Sequence, residues 1–312
     1  MATQGTTAGA QLGPVRLRAE RRRYSEDVVK GVLALCALVS VATTVGIIAA
    51  LLEPSIEFFR EVSIADFLSG DRWAPLFTPS SFGVQPLLVG TFSVTFWACV
   101  VALPLGLAAA IYLSEYAQPR VRRVLKPALE VLAGIPTVVF GFFALTFFTP
   151  LLRDVGIDVG TFNVLSAGLV MGVMLIPTVA SISEDAMTAV PQELRDGAYA
   201  LGATRLKVST RVVVPAAISG IVASYVLAIS RAVDETMIVL IAAGGLAQIT
   251  FDPREQAQTM TAFIGATGLG DVPTGSIEYK TIFAVGLTLF VITFAMNIIS
   301  IRLVRKYREI YE

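Results

Sequence analysis

Apolar residues in this chain come in long runs, not in the alternation of strands or the stripe of a surface helix. Six runs reach the roughly 20 residues that a helix needs to cross a bilayer. They cover residues 31–52, 86–112, 128–152, 163–183, 216–243 and 281–304. Hydrocarbon offers no partner to a bare backbone amide, so such runs fold as helices. The pattern predicts an all-α membrane protein with six transmembrane helices.

Lysine and arginine are unevenly placed between the runs. Eighteen of the 24 lie in residues 16–30, in the loops after the second and fourth runs, and in the tail. Five (Arg60, Arg72, Arg153, Arg254 and Lys280) lie on the other side, and Arg231 falls inside the fifth run. The positive-inside rule then puts both termini in the cytoplasm, as an even number of spans requires. Residues 1–27, small, polar and basic, read as a disordered arm. Residues 28–304 form the six-helix domain and 305–312 a cytoplasmic tail. The first run exceeds a signal-peptide core and no small-residue cleavage site follows it, so it reads as a retained helix.

Two outer loops are long. Residues 53–85 carry Phe58, Phe59, Phe67, Trp73 and Phe77 among polar residues, a spacing that suits a helix lying on the membrane surface. Residues 244–280 read as a connecting loop or an external contact. Pro104, Pro136 and Pro177 fall well inside spans, and Gly168 and Gly172 form a small-xxx-small pair that lets helices approach closely.

Composition narrows the chemistry. Only 15% of residues are charged against 55% hydrophobic, where soluble domains carry about 25% charged. Net charge is zero, so no field favours nucleic acid. Histidine is absent, which removes imidazole acid–base chemistry and most zinc sites. No metal site is expected. Cys36 and Cys99 sit in apolar runs as small hydrophobes. No lysine follows a glycine, so the phosphate-cradling GxxxxGK[ST] loop is absent and any ATPase must be another chain.

The loop over 184–215 is patterned. Pro191 suits an early helical position, with Glu193 and Asp196 near the positive end of that helix. Leu194, Ala198 and Leu201 fall at i, i+4 and i+7, one apolar face. Gly202 is a helix stop and Thr204 a cap for a second helix that runs on into the membrane. An apolar face outside the membrane needs a partner.

Within the fifth run, Arg231 is three residues from Asp234 and four from Glu235. On one helix these share a face and can pair. Each charge costs about 2.5–3.5 kcal/mol at a helix centre on insertion scales, so the cluster is either an ion pair pinning helices or the wall of an aqueous path. In the second case the Arg231 fork would bind an oxyanion, the carboxylates would hold the fork and keep binding weak enough for release, and Thr236 would add a hydroxyl. Thr91 and Thr95 share a face of the second span and either line the path or bond back to their own helix.

These stretches resemble a known family. The loop E-A-A-x3-G-x9-I-x-L-P of ABC importer permeases is matched by Asp196-Gly197-Ala198, Gly202 after three residues, then Val212-x-Val214-Pro215 after nine. Asp replaces Glu, Gly replaces the first Ala, and Val stands for Ile and Leu. The oxyanion-permease signature R-A-x-G-E is similar to Arg231-Ala232-Val233-Asp234-Glu235, with Asp234 in place of Gly and Thr236 following as in phosphate permeases. GTFSVTFW at 90–97, EVLAGIPTVVFGFFAL at 130–145 and LTLFVITFAMNI at 287–298 resemble the same branch, more the PstC type than its paralogue PstA. The likeness covers residues 86–304. It implies a type I importer permease fold, with the stretch from Glu193 to Gly202 docking in an ATPase subunit. It also implies an inorganic phosphate substrate delivered by an extracytoplasmic binding protein, a paralogous permease partner, and ATP with magnesium on the ATPase dimer rather than on this chain. Other oxyanions, such as sulfate or molybdate, and an ATPase-independent channel or carrier are the competing expectations; a role mainly in phosphate sensing is not separated from transport.

Overall fold

The computed structural model describes residues 24–306. The chain divides into two compact units, residues 1–50 and 51–312. In the first, the described residues form one apolar helix with exposed side chains, the start of α1 (Tyr24–Glu61). The basic arm expected over 1–27 lies outside the described residues up to residue 23; Tyr24 already begins α1. The part of the tail beyond residue 306 also lies outside them.

The second unit is built on α3 (Gln85–Ile111) and α7 (Val164–Thr188), which pack along their lengths. Bare backbone makes this possible. A Cβ on Gly168 would lie 2.6 Å from the Trp97 Cβ, and one on Gly106 equally close to the Val179 Cβ. Val94, Ala98, Met171, Met174 and Leu175 fill the seam as the main core. Around it stand α5 (Thr137–Phe143) and α6 (Thr149–Asp154), joined by a π-helical turn, then α11 (Ile218–Val233) and α13 (Ile277–Lys306). Among the described residues, five helices are long and apolar enough to cross a membrane; a pair bent by 71°, residues 205–216 with Ile218–Val233, makes a sixth when taken as one span.

The third span differs from expectation. Residues 119–133 form a separate amphipathic helix, α4 (Pro119–Ala133), and the span itself runs over Thr137–Asp154. Pro136, expected in mid-span, caps its start with an extended ψ of 136°. A proline ring lacks the N–H and disfavours helical geometry in the residue before it, so the helix stops and restarts there.

The aromatic loop also differs. Its aromatic rings do not line one exposed helical face. α1 continues to Glu61, α2 (Ile64–Ser69) follows, and a two-residue antiparallel hairpin, β1 (Trp73–Ala74) with β2 (Ser81–Phe82), folds it over. Phe58, Phe67 and Trp73 are buried with Leu87, Met260 and Phe263 in a second core; Phe77 alone of the five aromatics is strongly exposed. The rings meet edge to face, Trp73 and Phe263 at 4.9 Å between centroids. The other outer segment supplies α12 (Met260–Gly268), which packs on α13 and α3. Gly90 of α3 faces the Gln258 carbonyl with no room for a side chain.

At the opposite end lie α8 (Gln192–Ala200), α9 (Arg205–Val208) and α10 (Val214–Ala216). A third core of Ala110, Met187, Val190, Val208, Val213 and Ile221 joins them to the ends of α3 and α7.

Candidate functional site

The fifth span was expected as one helix over 216–243. It is bent at Ala217 and broken again at Asp234–Thr236, before a π-helical turn over Val239–Ala243. A break inside an apolar bundle strips backbone groups of partners, and each must be satisfied locally. Glu235 does this. Its buried carboxylate Oε1 accepts the N–H groups of Met237 at 3.1 Å and Ile238 at 3.2 Å. Its carbonyl accepts the Thr261 hydroxyl at 2.7 Å.

The expected pairing of Arg231 with Asp234 and Glu235 is therefore not formed. The i+3 and i+4 spacing presupposes a continuous helix, and α11 ends at Val233. Arg231 lies exposed in the last turn, where the helix dipole favours a cation, and makes no ion pair among the described residues. Asp234 is the exposed C-cap, its N–H donating to Ser230. Thr236 is half-buried and donates to the Asp234 carbonyl at 3.3 Å. Ser230, next to Arg231, is buried with its hydroxyl unpartnered.

Thr91 and Thr95 are buried in α3 and donate to Leu87 and Thr91 carbonyls, both at 2.8 Å. Thr91 Oγ1 also accepts the Met260 N–H at 3.0 Å, fastening the start of α12 to α3. Of the two readings of these threonines, the geometry has the helix-bonded one.

The patterned loop forms α8 as expected, with Pro191 as its N-cap rather than its first helical residue. Gly202 has φ +78°, its N–H donating to Tyr199, while the Ala203 N–H returns to Ala198. Thr204 caps α9 through the Lys207 N–H. Pro215 sits in α10, just before the 71° bend, so the second helix does not run straight into the membrane. The apolar face divides. Ala198 packs on the third core, whereas Leu194 and Tyr199 are partly exposed and Leu201 is 91% exposed. Glu193, Asp196 and Gly197 face outward.

Two charge clusters went unrecognised in the sequence. Glu184 of α7 is fully buried and is shared by Arg122 and Lys126 of α4; Lys126 contacts it at 2.7 Å and also Asp185 at 2.8 Å. Those hydrogen bonds, to Asp185 first and then Glu184, hold the Lys126 pKa above its ordinary value. Arg195 of α8 is buried against Glu115 at 3.1 Å. In the sequence, Arg122, Lys126 and Arg195 bear only on orientation, through the positive-inside rule. The available signal was a charge pair four residues apart on one helix, and an arginine on the face of α8 next to its apolar stripe.

Apolar spans around a tight helix pair, a charged break in one span and an amphipathic helix held outside the bundle define a membrane permease subunit. The family described as "Binding-protein-dependent transport system inner membrane component" matches residues 102–309, and the chain belongs to it. It is 35% identical to the probable ABC transporter permease protein YqgH of Bacillus subtilis, over 95% of this chain and 96% of that protein. It is 31% identical to the phosphate transport system permease protein PstC of Mesorhizobium japonicum, over 75% and 76%. A chain of a bacterial alginate ABC transporter, solved with its alginate-bound periplasmic protein, superposes with a TM-score of 0.62 over 92% of this chain and 98% of that one; at 14% identity this shows the fold alone. The protein is thus a multi-pass ABC importer permease of the cytoplasmic membrane, with the type I fold, and a transport subunit rather than an enzyme.

Proposed function

We propose that this permease is the PstC-like subunit of an ATP-driven inorganic phosphate importer. It would form the path with a paralogous PstA-like permease, receive phosphate from an extracytoplasmic PstS-like binding protein, and couple through α8 to a PstB-like ATPase dimer that carries ATP and magnesium. The α8 end and both termini are cytoplasmic in this reading. No cofactor is held by this chain.

The observation that carries the reading is Arg231 at the break of the fifth span. Its guanidinium is exposed and without an acid partner among the described residues. A planar fork of N–H donors suits a tetrahedral oxyanion. Glu235 is occupied by its own backbone, so it leaves that fork to a ligand. The likeness to PstC proteins supports phosphate among oxyanions.

The test is ATP-dependent phosphate uptake in vesicles that hold the chain with its co-purifying partners. Arg231→Gln is expected to stop uptake while assembly and ATP hydrolysis persist. Transport of sulfate but not phosphate by the wild type would overturn the substrate, and uptake without an ATPase would overturn the importer.

A further inference from the structure

We infer that Arg195 is a positioning residue that clamps α8 to the ends of α3 and α7, so that a push on α8 moves the transmembrane core instead of folding the loop. The inference rests on the reading of α8 as the helix that meets the ATPase.

An amphipathic helix on a loop is a poor lever unless something stiff joins it to the helices it must move. α8 has little of its own to provide that stiffness. It is nine residues long, has Gly197 in open space at its middle, and ends at a left-handed glycine. Isolated helices of this length are marginal in water. Part of its apolar surface stays uncovered, with Leu194 and Tyr199 partly exposed and the C-cap Leu201 almost fully so. Ala198 packs on the third core, and Arg195, only 8% exposed, ties the helix to its neighbours by hydrogen bonds.

The guanidinium spends its donors on three separate acceptors. One nitrogen donates to the Val190 carbonyl at 2.6 Å, and the other to the Met187 carbonyl at 2.7 Å and to Glu115 Oε1 at 3.1 Å. Met187 lies in the last turn of α7, whose terminal carbonyls have no partner within the helix. Glu115 lies in the π-helical turn Tyr112–Tyr116 that ends α3, and is itself 7% exposed. One side chain thus links α8 to both members of the helix pair with the most extensive contact among the described residues. Charge-assisted bonds of this kind are short and directional, and buried ones are costly to leave unmade.

The two helices so linked lead to the break in the fifth span. α3 meets α12 through Thr91, and α12 meets the break through Thr261. α7 packs directly on α11 and on the turn after the break. Rigid elements packed in this way transmit displacement because close-packed interiors compress little.

Arginine is specific to this role. Lysine keeps the charge facing Glu115 but offers one nitrogen, which cannot reach two carbonyls and a carboxylate at set angles.

The experiment uses the whole transporter reconstituted in proteoliposomes and reads phosphate imported per ATP hydrolysed. Arg195→Met is expected to assemble and hydrolyse ATP while that ratio falls by about 5-fold or more, the scale of a typical coupling between sites. Arg195→Lys is expected to restore the ratio in part. Glu115→Gln, which keeps the shape but removes the charge that strengthens this bond, gives a second variant if Arg195→Met fails to assemble; its ratio is expected to fall as well. A merely structural arginine would lower yield or melting temperature and leave the ratio alone. An unchanged ratio in assembled Arg195→Met, or in Glu115→Gln where that variant alone assembles, overturns the clamp. Leu201→Asp tests the underlying reading separately. Release of the ATPase from purified complex supports α8 as its dock, and full retention overturns that reading whatever the Arg195 variants do.

Discussion

Gly172 of α7 sits directly against the Ala98 carbonyl of α3: a Cβ at residue 172 would lie 2.7 Å from that oxygen and equally close to the Val101 Cβ. Backbone on one side meets backbone on the other, so neither can yield by turning a side chain. Small residues at such positions let two apolar helices come together where lipid supplies no hydrophobic drive between them.

Gly172→Val is therefore expected to destabilise the bundle by about 1–3 kcal/mol, the usual range for overpacking. Gly197→Ala is the contrast. Its Cβ meets nothing within 4 Å, and alanine is better than glycine in a helix by up to about 1 kcal/mol. Thermal unfolding in detergent should show a lower midpoint for the first and an equal or higher one for the second.

Gly202 tests backbone conformation rather than space. Nothing lies within 4 Å of its would-be Cβ, yet its φ is +78°. Gly202→Val is expected to cost about 1–2 kcal/mol through the left-handed backbone alone, with the effect confined to the α8–α9 turn. Hydrogen exchange should quicken over residues 198–206 and stay unchanged in α3 and α7.

The Glu184 cluster predicts how α4 is held. Glu184→Ala leaves Arg122 and Lys126 without their buried acceptor, but both are part-exposed and rehydrate. The loss is expected near about 1–3 kcal/mol, the range for hydrogen bonds to charged groups. The Lys126 pKa is raised above its ordinary 10.5, so its contribution is complete below that pH and is lost only as pH rises through the higher folded value. Protease cleavage in α4 should increase in the Ala variant at neutral pH, and in the wild type only under strongly alkaline conditions.

At the other end, Arg254 holds the Asp252 pKa down to about 2 from 3.8, chiefly through side-chain hydrogen bonds of 2.6–3.1 Å. A lowered carboxylate contributes above its unfolded pKa, here 3.8, and loses that contribution as pH falls through about 2. Hydrogen exchange in residues 250–256, corrected for intrinsic rate, should rise across that window in the wild type and show no such step in Asp252→Asn.

Much of the fold was legible because the membrane imposes a length and a composition on each span. The α3 and α7 spans and the small-residue seam between them followed from apolar runs and glycine spacing. The outline of α8 and its stop at Gly202 followed from local periodicity and turn chemistry. Where a local feature had two readings, sequence could not choose. Pro136 fits the interior or the start of a helix, and only the separation of α4 from the span put it at the start. The aromatics from Phe58 to Trp73 suit a membrane surface as well as a core, and the hairpin over them decided for the core.

The charges divide in the same way. Sequence by itself determined that Arg231, Asp234 and Glu235 share one apolar run, and that the cost of placing them there calls for an explanation, structural or functional. Tertiary structure alone decided what each does. Thr261 of α12 and the Glu235 carboxylate satisfy a broken backbone, and this removes the helical spacing on which the intrahelical pairing depended. The cations of these clusters have a local signal, but their partners do not: Glu115 is 80 residues from Arg195, and Glu184 is 62 from Arg122. A buried charge needs an opposite charge nearby in space, and the packing of helices, not the order of residues, sets which one that is.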